Sequence, residues 1–563
     1  MKRMWIAIVL AAIFVTAAGY ASEAAGSGEG ERPEGCTVIG VGRGATTDGS
    51  VFTSHTDGCS ECRIQVIPGR TFRKGDMAPV HWGMVYFGKD DDRHALPLGE
   101  FGKVIGRIPQ AERTFTYFHT GYSQMNEHQL AIGESTCSQK PELDVAFVEG
   151  VTSQIMTIEQ AQVFALERCR TAREALGLIT SLVETYGFLP SCGGSEALCI
   201  ADPKELWVLE ICSVGPEWEP GSGRPGAIWA ARRVPDDHLV VISNHFRIRE
   251  IDLDNPDFLA SKNYIREAVD RGWYDPKSGK PFIWQEAYAP QIREGNISRL
   301  WLVYSTVAPS LKAWPKRRLP GGASSPFTMA GQDLEGAAFY PFSVRPEKKL
   351  SVRDIIAFQR SAFEGTIYDM ASDPAWLVPG PQDKFVRSPL TTPFASPELK
   401  RLLRIASHRT IATQGYGCVA QLRAWLPDPI GGVYWFYHDN PYVSAYVPIY
   451  AGVKDVATAY KTYDFASYSG DSARWAVDLV EKLLHLRWQD AVKDLHAVRD
   501  PLEEGFFASQ AEVETKALDL HKKDPALAAK YLTDLTVSRM DEIVRIFWRL
   551  RDVLLSKYTG DIV

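Results

Sequence analysis

Cys36 opens the first strand-like run of the sequence, Cys36-Thr37-Val38-Ile39-Gly40-Val41, just beyond an apolar leader and a polar spacer. Cleavage between Gly35 and Cys36 would leave one residue carrying both a thiol and a free α-amine. A free cysteine thiol has a pKa of roughly 8.5, so it is mostly protonated at neutral pH. An α-amine, with a pKa of about 7.7–8.0, is partly neutral there and accepts the thiol proton directly or through water. The sulfur then forms an acyl-enzyme, the amine protonates the leaving group, and water completes hydrolysis. Such chemistry needs no metal and no organic cofactor. The competing reading of Cys36 is a disulfide half or an inert core thiol.

Other residues fit supporting roles. Asp57 is placed to orient the amine and stabilise its protonated form; the plainer reading is a solvated turn aspartate. His55, two residues earlier, reads as structural or exposed. Asn244, within Val241-Ile242-Ser243-Asn244-His245-Phe246-Arg247, suits donation to an oxyanion, against an ordinary loop asparagine. Gly193-Gly194-Ser195 lacks the spacing of a nucleophile elbow, so a serine hydrolase is not supported. With Cys36 set aside, eight cysteines remain (59, 62, 137, 169, 192, 199, 212 and 418), to be read as disulfide halves or free thiols. Cys59-x-x-Cys62 suits a tight disulfide; a zinc site would need a second pair at like spacing, and there is none.

The elements around these residues read as follows. Thr47-Asp48-Gly49-Ser50 is a turn between Cys36–Val41 and a second strand at Val51–Ser54, a hairpin that returns His55 and Asp57 toward Cys36. Phe115–Gly121 and Leu130–Gly133 look like strands flanking a polar turn, Met125–Gln129. Thr157–Tyr186 is helical, with capping boxes at Thr157-x-x-Gln160 and Thr171-x-x-Glu174 and Gly187 as C-cap. Leu198–Ile200 with Leu206–Ile211 form another hairpin, as do Val419–Trp425 with Val433–Tyr437 across Pro427–Gly432. The stretch Asp252–Arg345, rich in Pro, Trp and Gly, does not parse. From Ser472 the chain is helical, with Asp524-Pro525 starting a last helix that runs to about Tyr558. Strands followed by helices and strands again imply antiparallel sheets covered by helices, an α+β fold.

Lys2 and Arg3, the apolar Trp5–Ala18 and small residues through Ala21 form a signal peptide, too short for an ordinary spanning helix. Export to the periplasm or exterior is expected, with no membrane span after processing. Gly35-Cys36 superficially resembles a lipidation site, but residues 22–35 separate it from the apolar core. A net charge of −7 without basic runs argues against nucleic acid as a partner. The expected organisation is a signal peptide at 1–21, a spacer at 22–35, a catalytic domain at 36–470 and a helical region at 471–563 that packs on it or mediates homo-oligomer assembly.

Several blocks together resemble the dipeptidase family that also contains the secernins, within the N-terminal nucleophile (Ntn) hydrolases. They are Cys36-Thr37 with Asp48-Gly49-Ser50 and Asp57; Gly106-Arg107-Ile108-Pro109-Gln110; Asn126-Glu127 through Glu134-Ser135-Thr136; Ala165–Arg168 with Thr171–Ala175; Ile200–Pro203 with Trp207; Asn244 with Arg247-Ile248; and Glu364-Gly365-Thr366 with Tyr368-Asp369. The resemblance spans most of residues 36 to about 450. It implies an αββα sandwich, two antiparallel sheets between helix layers, and a cysteine peptidase activated by loss of everything before Cys36, with dipeptides as substrates. It places Asp57 as the amine-orienting carboxylate, Asn244 on the oxyanion side, and Asn126 in the family's Asn-Glu block as a further catalytic candidate. Related hydrolases often carry an arginine shortly before the aspartate, where this chain has His55. Two other readings stay open: an amidase of the same fold acting on non-peptide acyl amides, and a non-catalytic exported binding protein with Cys36 blocked or paired.

Overall fold

The computed structural model describes residues 35–58, 62–87, 93–95, 102–122, 124–311, 326–328, 340–366, 368–405, 410–411, 415–464 and 466–560. The expected signal peptide, residues 22–34 of the spacer, and Cys59 lie outside them.

Eight strands and seven helices position the site. The strands are β1 (Val38–Val41), β2 (Val51–Asp57), β3 (Ala131–Cys137), β4 (Ser195–Ala201), β5 (Leu206–Cys212), β6 (Leu239–Ile242), β7 (Gly415–Leu422) and β8 (Val433–Asp439). The helices are α1 (Ile158–Arg168), α2 (Ala172–Tyr186), α3 (Glu294–Val307), α4 (Val352–Arg360), α5 (Ala473–Leu484), α6 (Trp488–Lys523) and α7 (Pro525–Tyr558). One antiparallel sheet runs β6-β1-β2-β7-β8 and ends on Val447–Tyr450. A second, eight-stranded sheet has β5-β4-β3 at its centre.

The two sheets meet face to face along β1, β2, β3 and β4, and the side-chain alternation of a strand divides the core in two. On β4, Ala197, Cys199 and Ala201 join Val38 of β1 between the sheets. Leu198 and Ile200 point the other way, into a second cluster with Phe164 of α1 and Leu176, Ile179 and Val183 of α2. Helices α4, α5 and α7 pack on the six-stranded sheet instead. Trp435 of β8 stacks on Phe507 of α6 at 4.2 Å. The C-terminal helices therefore share the inter-sheet core's hydrophobic cluster rather than forming one of their own. Among the described residues no helix is long and apolar enough to cross a membrane.

The β1–β2 hairpin forms as expected, with Gly40 opposite Thr53 and Asp48 accepting from the Ser50 amide. A 3-10 turn at Arg43–Ala45 lengthens its connection. Thr171 and Glu174 make a complete capping box, but Thr157 makes no side-chain cap bond, so the first of the two expected boxes is absent. The strand expected to reach Trp425 stops at Leu422, because Pro427 leads into a short helix at Asp428–Gly431. The unparsed stretch holds α3. Cysteines 36, 137, 169, 192, 199, 212 and 418 are free thiols.

Close approach of the sheets depends on Gly133. A Cβ there would lie 2.5 Å from the Ser54 carbonyl oxygen of β2 and 2.9 Å from Val38. The first contact is backbone and cannot rotate away. Gly133→Ala should therefore cost about 1–3 kcal/mol of stability, as overpacked cores do, and this would appear as a lower denaturation midpoint with unchanged m-value.

Candidate active site

The end of β2 and the start of the described chain converge. The Thr37 amide donates to Thr56 Oγ1 at 2.9 Å and the Ile39 amide to Ser54 Oγ at 3.0 Å, which locks the segment leading into β1 against β2. This register sets the Cys36 Sγ 3.7 Å from Asp57 Oδ1. Across the inter-sheet gap, Glu134 Oε2 of β3 lies 3.5 Å from the same sulfur. Burial, then Glu134 and Asp57, push the Cys36 thiol well above its usual range, since two acids oppose a thiolate. Burial likewise raises Glu134 to about 7, with Asp57 adding to it.

Asn244 follows β6 in the left-handed region, at φ +59. Asparagine tolerates this conformation better than most residues. Its backbone amide donates to Ser135 Oγ at 3.0 Å, and Nδ2 donates to the Thr136 carbonyl at 2.7 Å. A Cβ on Gly35 would fall 2.4 Å from Asn244 Oδ1, so a larger residue before Cys36 would displace the Asn244 carboxamide. Asn244 thus flanks the bond that precedes the thiol.

Two residues that the sequence reading passed over organise this end. Arg299 of α3 is fully buried. Its Nη1 donates to the carbonyls of Gly35 (3.2 Å) and Cys36 (2.7 Å) and to Thr37 Oγ1 (2.7 Å). Its Nη2 donates to the Ser243 carbonyl (3.0 Å) and Asn244 Oδ1 (2.8 Å). Here the cation comes from a helix more than 240 positions past Asp57, rather than from shortly before it. Glu210 of β5 accepts from the amides of Arg247 and Ile248 and from Trp284 Nε1, which pins the loop that carries Asn244. Burial raises it to about 8 despite these donors. No local motif announces either residue, because each is defined by what it reaches across the fold.

The structure thus brings Cys36, Asp57 and Asn244 together, but not Asn126. The Asn126 Nδ2 donates to the Leu166 and Cys169 carbonyls at 2.8 Å, and Oδ1 accepts from the amides of His128 and Leu130. Its carboxamide is fully engaged in tying the 126–130 turn to the end of α1. His55 is a core ring: Nδ1 contacts the Glu134 backbone, and burial lowers its pKa so that it is neutral. Cys36, His55 and Glu134 offer ligand atoms within 4.8 Å of one another, a set of the kind zinc accepts; Asp439, Asp478 and Glu481 form a second acidic group.

The sequence model of peptidase family C69 matches residues 35–500. The chain is 23% identical to a protein named probable dipeptidase B from Lactococcus lactis subsp. lactis, covering 86% of this chain and 91% of that protein. It is 24% identical to a probable dipeptidase of Salmonella dublin, covering 74% and 81%, and 22% identical to dipeptidase A of Lactobacillus helveticus, covering 76% and 77%.

Arg299→Met keeps length but removes every guanidinium donor from the oxygens around Cys36 and Asn244. Denaturant unfolding should show a loss of about 3–5 kcal/mol. Glu210 holds a proton in the folded state up to about pH 8, whereas an unfolded glutamate loses it near roughly pH 4.3. Unfolding thus releases a proton between these values, and stability falls as pH rises through that window. Glu210→Gln should flatten the slope by about one proton, read from denaturation midpoints between pH 5 and 8.

Proposed function

The chain belongs to peptidase family C69, and we propose that it is an exported Ntn-type cysteine peptidase that hydrolyses dipeptides. The single observation that carries this reading is the setting of Cys36: a buried thiol at the head of the first strand, with Asp57 at 3.7 Å and Arg299 on its own carbonyl. The names of the relatives support the substrate class. The two packed antiparallel sheets with helices on both sides are consistent with the αββα arrangement of Ntn hydrolases.

While Cys36 is joined to Gly35 its nitrogen is an amide and cannot serve as a base, and the neighbouring carboxyls hold the thiol protonated. Cleavage of that bond creates an amine at the same residue. Asp57 orients it, and its protonated form favours the thiolate. The sulfur attacks the scissile carbonyl carbon, and a C–S bond forms. The carbonyl oxygen becomes an oxyanion beside Asn244, whose Nδ2 retains one N–H beyond the bond to Thr136. The C–N bond then breaks, the departing amine takes the proton from the Cys36 ammonium, and water cleaves the thioester to release the acid.

Intact mass and N-terminal sequencing of the active enzyme should find Cys36 as residue one. Cys36→Ala should lower turnover of a dipeptide by about 1,000-fold or more while the circular dichroism spectrum is kept. A fully active species with the Gly35–Cys36 bond intact would overturn the mechanism. Asp57→Asn should reduce kcat by about 100-fold or more with the same N-terminus, since it leaves the amine without its carboxylate.

A further inference from the structure

Three buried carboxyls beside the nucleophile have no part in the hydrolysis described above. Glu134 of β3, Glu196 of β4 and Glu159 in the first turn of α1 are 0%, 1% and 2% exposed. Thr136 of β3 pairs with Glu196 of β4, which puts Glu196 diagonally beside Glu134 on one face, where each carboxyl raises or lowers the other's pKa. Thr136 Oγ1 donates to Glu134 Oε1 at 3.1 Å, and Ser191 Oγ to Glu159 Oε1 at 2.6 Å. Glu196 Oε2 and Glu159 Oε2 are buried without a hydrogen-bond partner. Among the described residues no lysine, arginine or histidine forms an ion pair with any of the three.

Buried carboxyls are ordinarily paired or fully hydrogen-bonded, so this group lacks a cation. Burial and mutual repulsion keep Glu196 protonated above the usual carboxylate range, and a proton stands in for the missing charge. On one side the cluster borders Tyr122, which feels all three carboxyls and whose hydroxyl lies 3.1 Å from the Sγ of Cys192, an exposed residue whose thiol burial raises.

Covalent geometry identifies a cation of suitable size and place. In a dipeptide the α-ammonium nitrogen is two bonds from the scissile carbonyl carbon, about 2.5 Å away. A carbonyl poised for attack sits about 3–3.5 Å from the sulfur. Glu134 Oε2 is itself 3.5 Å from that sulfur, so a substrate whose acyl side turns toward β3 brings its ammonium within ion-pair reach of it, with Glu196 beside it. We propose that Glu134, Glu196 and Glu159 form the socket for the free α-ammonium of the substrate's first residue, so that the enzyme cleaves after an unblocked N-terminal residue and rejects N-acylated amides. This deepens the peptidase reading above and rests on it. Asp57, on the other side of Cys36, is left for the enzyme's own amine.

The test compares Ala-Phe with N-acetyl-Ala-Phe on the mature enzyme, two substrates with the same scissile bond. The free dipeptide should have a kcat/KM about 100-fold higher or more, the scale of a lost buried charge partner. In Glu196→Gln and, separately, Glu159→Gln, that preference should shrink by about tenfold or more. Equal cleavage of both substrates by the wild type overturns the socket and leaves the peptidase reading standing. Variants that slow both substrates in parallel, with the preference intact, also overturn it, and assign the carboxyls to Cys36's own amine or to the fold. If the wild type cleaves neither substrate, the peptidase reading fails and the socket with it. Should one variant not fold, the other decides whether the preference depends on the carboxyls.

Discussion

A guanidinium sealed inside the protein holds the start of the described chain in place. Arg299 brings its charge out of water, which is costly unless its donors are satisfied. It meets oxygens from Gly35, Cys36, Thr37, Ser243, Asn244 and its own helix at Gly295. Three segments far apart in sequence are thus fastened to one planar group. The fork geometry of arginine suits this, since a lysine offers a single point charge. With the Cys36 carbonyl and the Asn244 side chain on the same guanidinium, Cys36 and Asn244 cannot drift independently.

Around that anchor the charges are divided. Arg299 lies on the backbone side of Cys36, whereas Asp57 and Glu134 face its sulfur. Together with burial, these surroundings oppose a thiolate. This arrangement keeps the thiol protonated in the joined chain. It also separates two acidic regions by strand: Asp57 on β2, and the Glu134 group on β3, β4 and α1. Glu210, deeper in the second sheet, ties the loop that holds Asn244 to Trp284.

The sheets can hold these groups because they are backed on both sides. Gly133 lets β3 approach β2 until the Glu134 backbone meets His55 Nδ1 at 2.9 Å, and that contact sets the reach of Glu134 toward Cys36. Behind β2 and β7, Gln359 of α4 donates to the carbonyls of His55 and Cys418. Arg360 of the same helix pairs with Glu503 of α6. The C-terminal helices are joined in this way to the strand that carries Asp57, and they act as part of the site's support.

The local chemistry of the sequence determined what lies close together along the chain. Asp48-Gly49 makes the β1–β2 turn, so Cys36 and Asp57 meet; Thr171 with Glu174 starts α2; and Asp524-Pro525 starts α7. Asn244 reads as a candidate oxyanion donor or an ordinary loop asparagine. The turn and helix-start readings succeed because backbone hydrogen bonds and turn geometry act over a few residues. Asn126 shows their limit: its neighbours mark a block, but only the position of α1 reveals that its carboxamide is used up on backbone. The Arg299 anchor, the Glu210 strut and the meeting of Glu134, Glu196 and Glu159 were decided by tertiary structure alone. Their partners lie tens to hundreds of positions away, and whether a charge is buried, paired or left needing a counter-ion depends on which sheet face it occupies and what packs over it. Periodicity tells which side of a strand a residue takes, and only the packing of the two sheets tells what waits there.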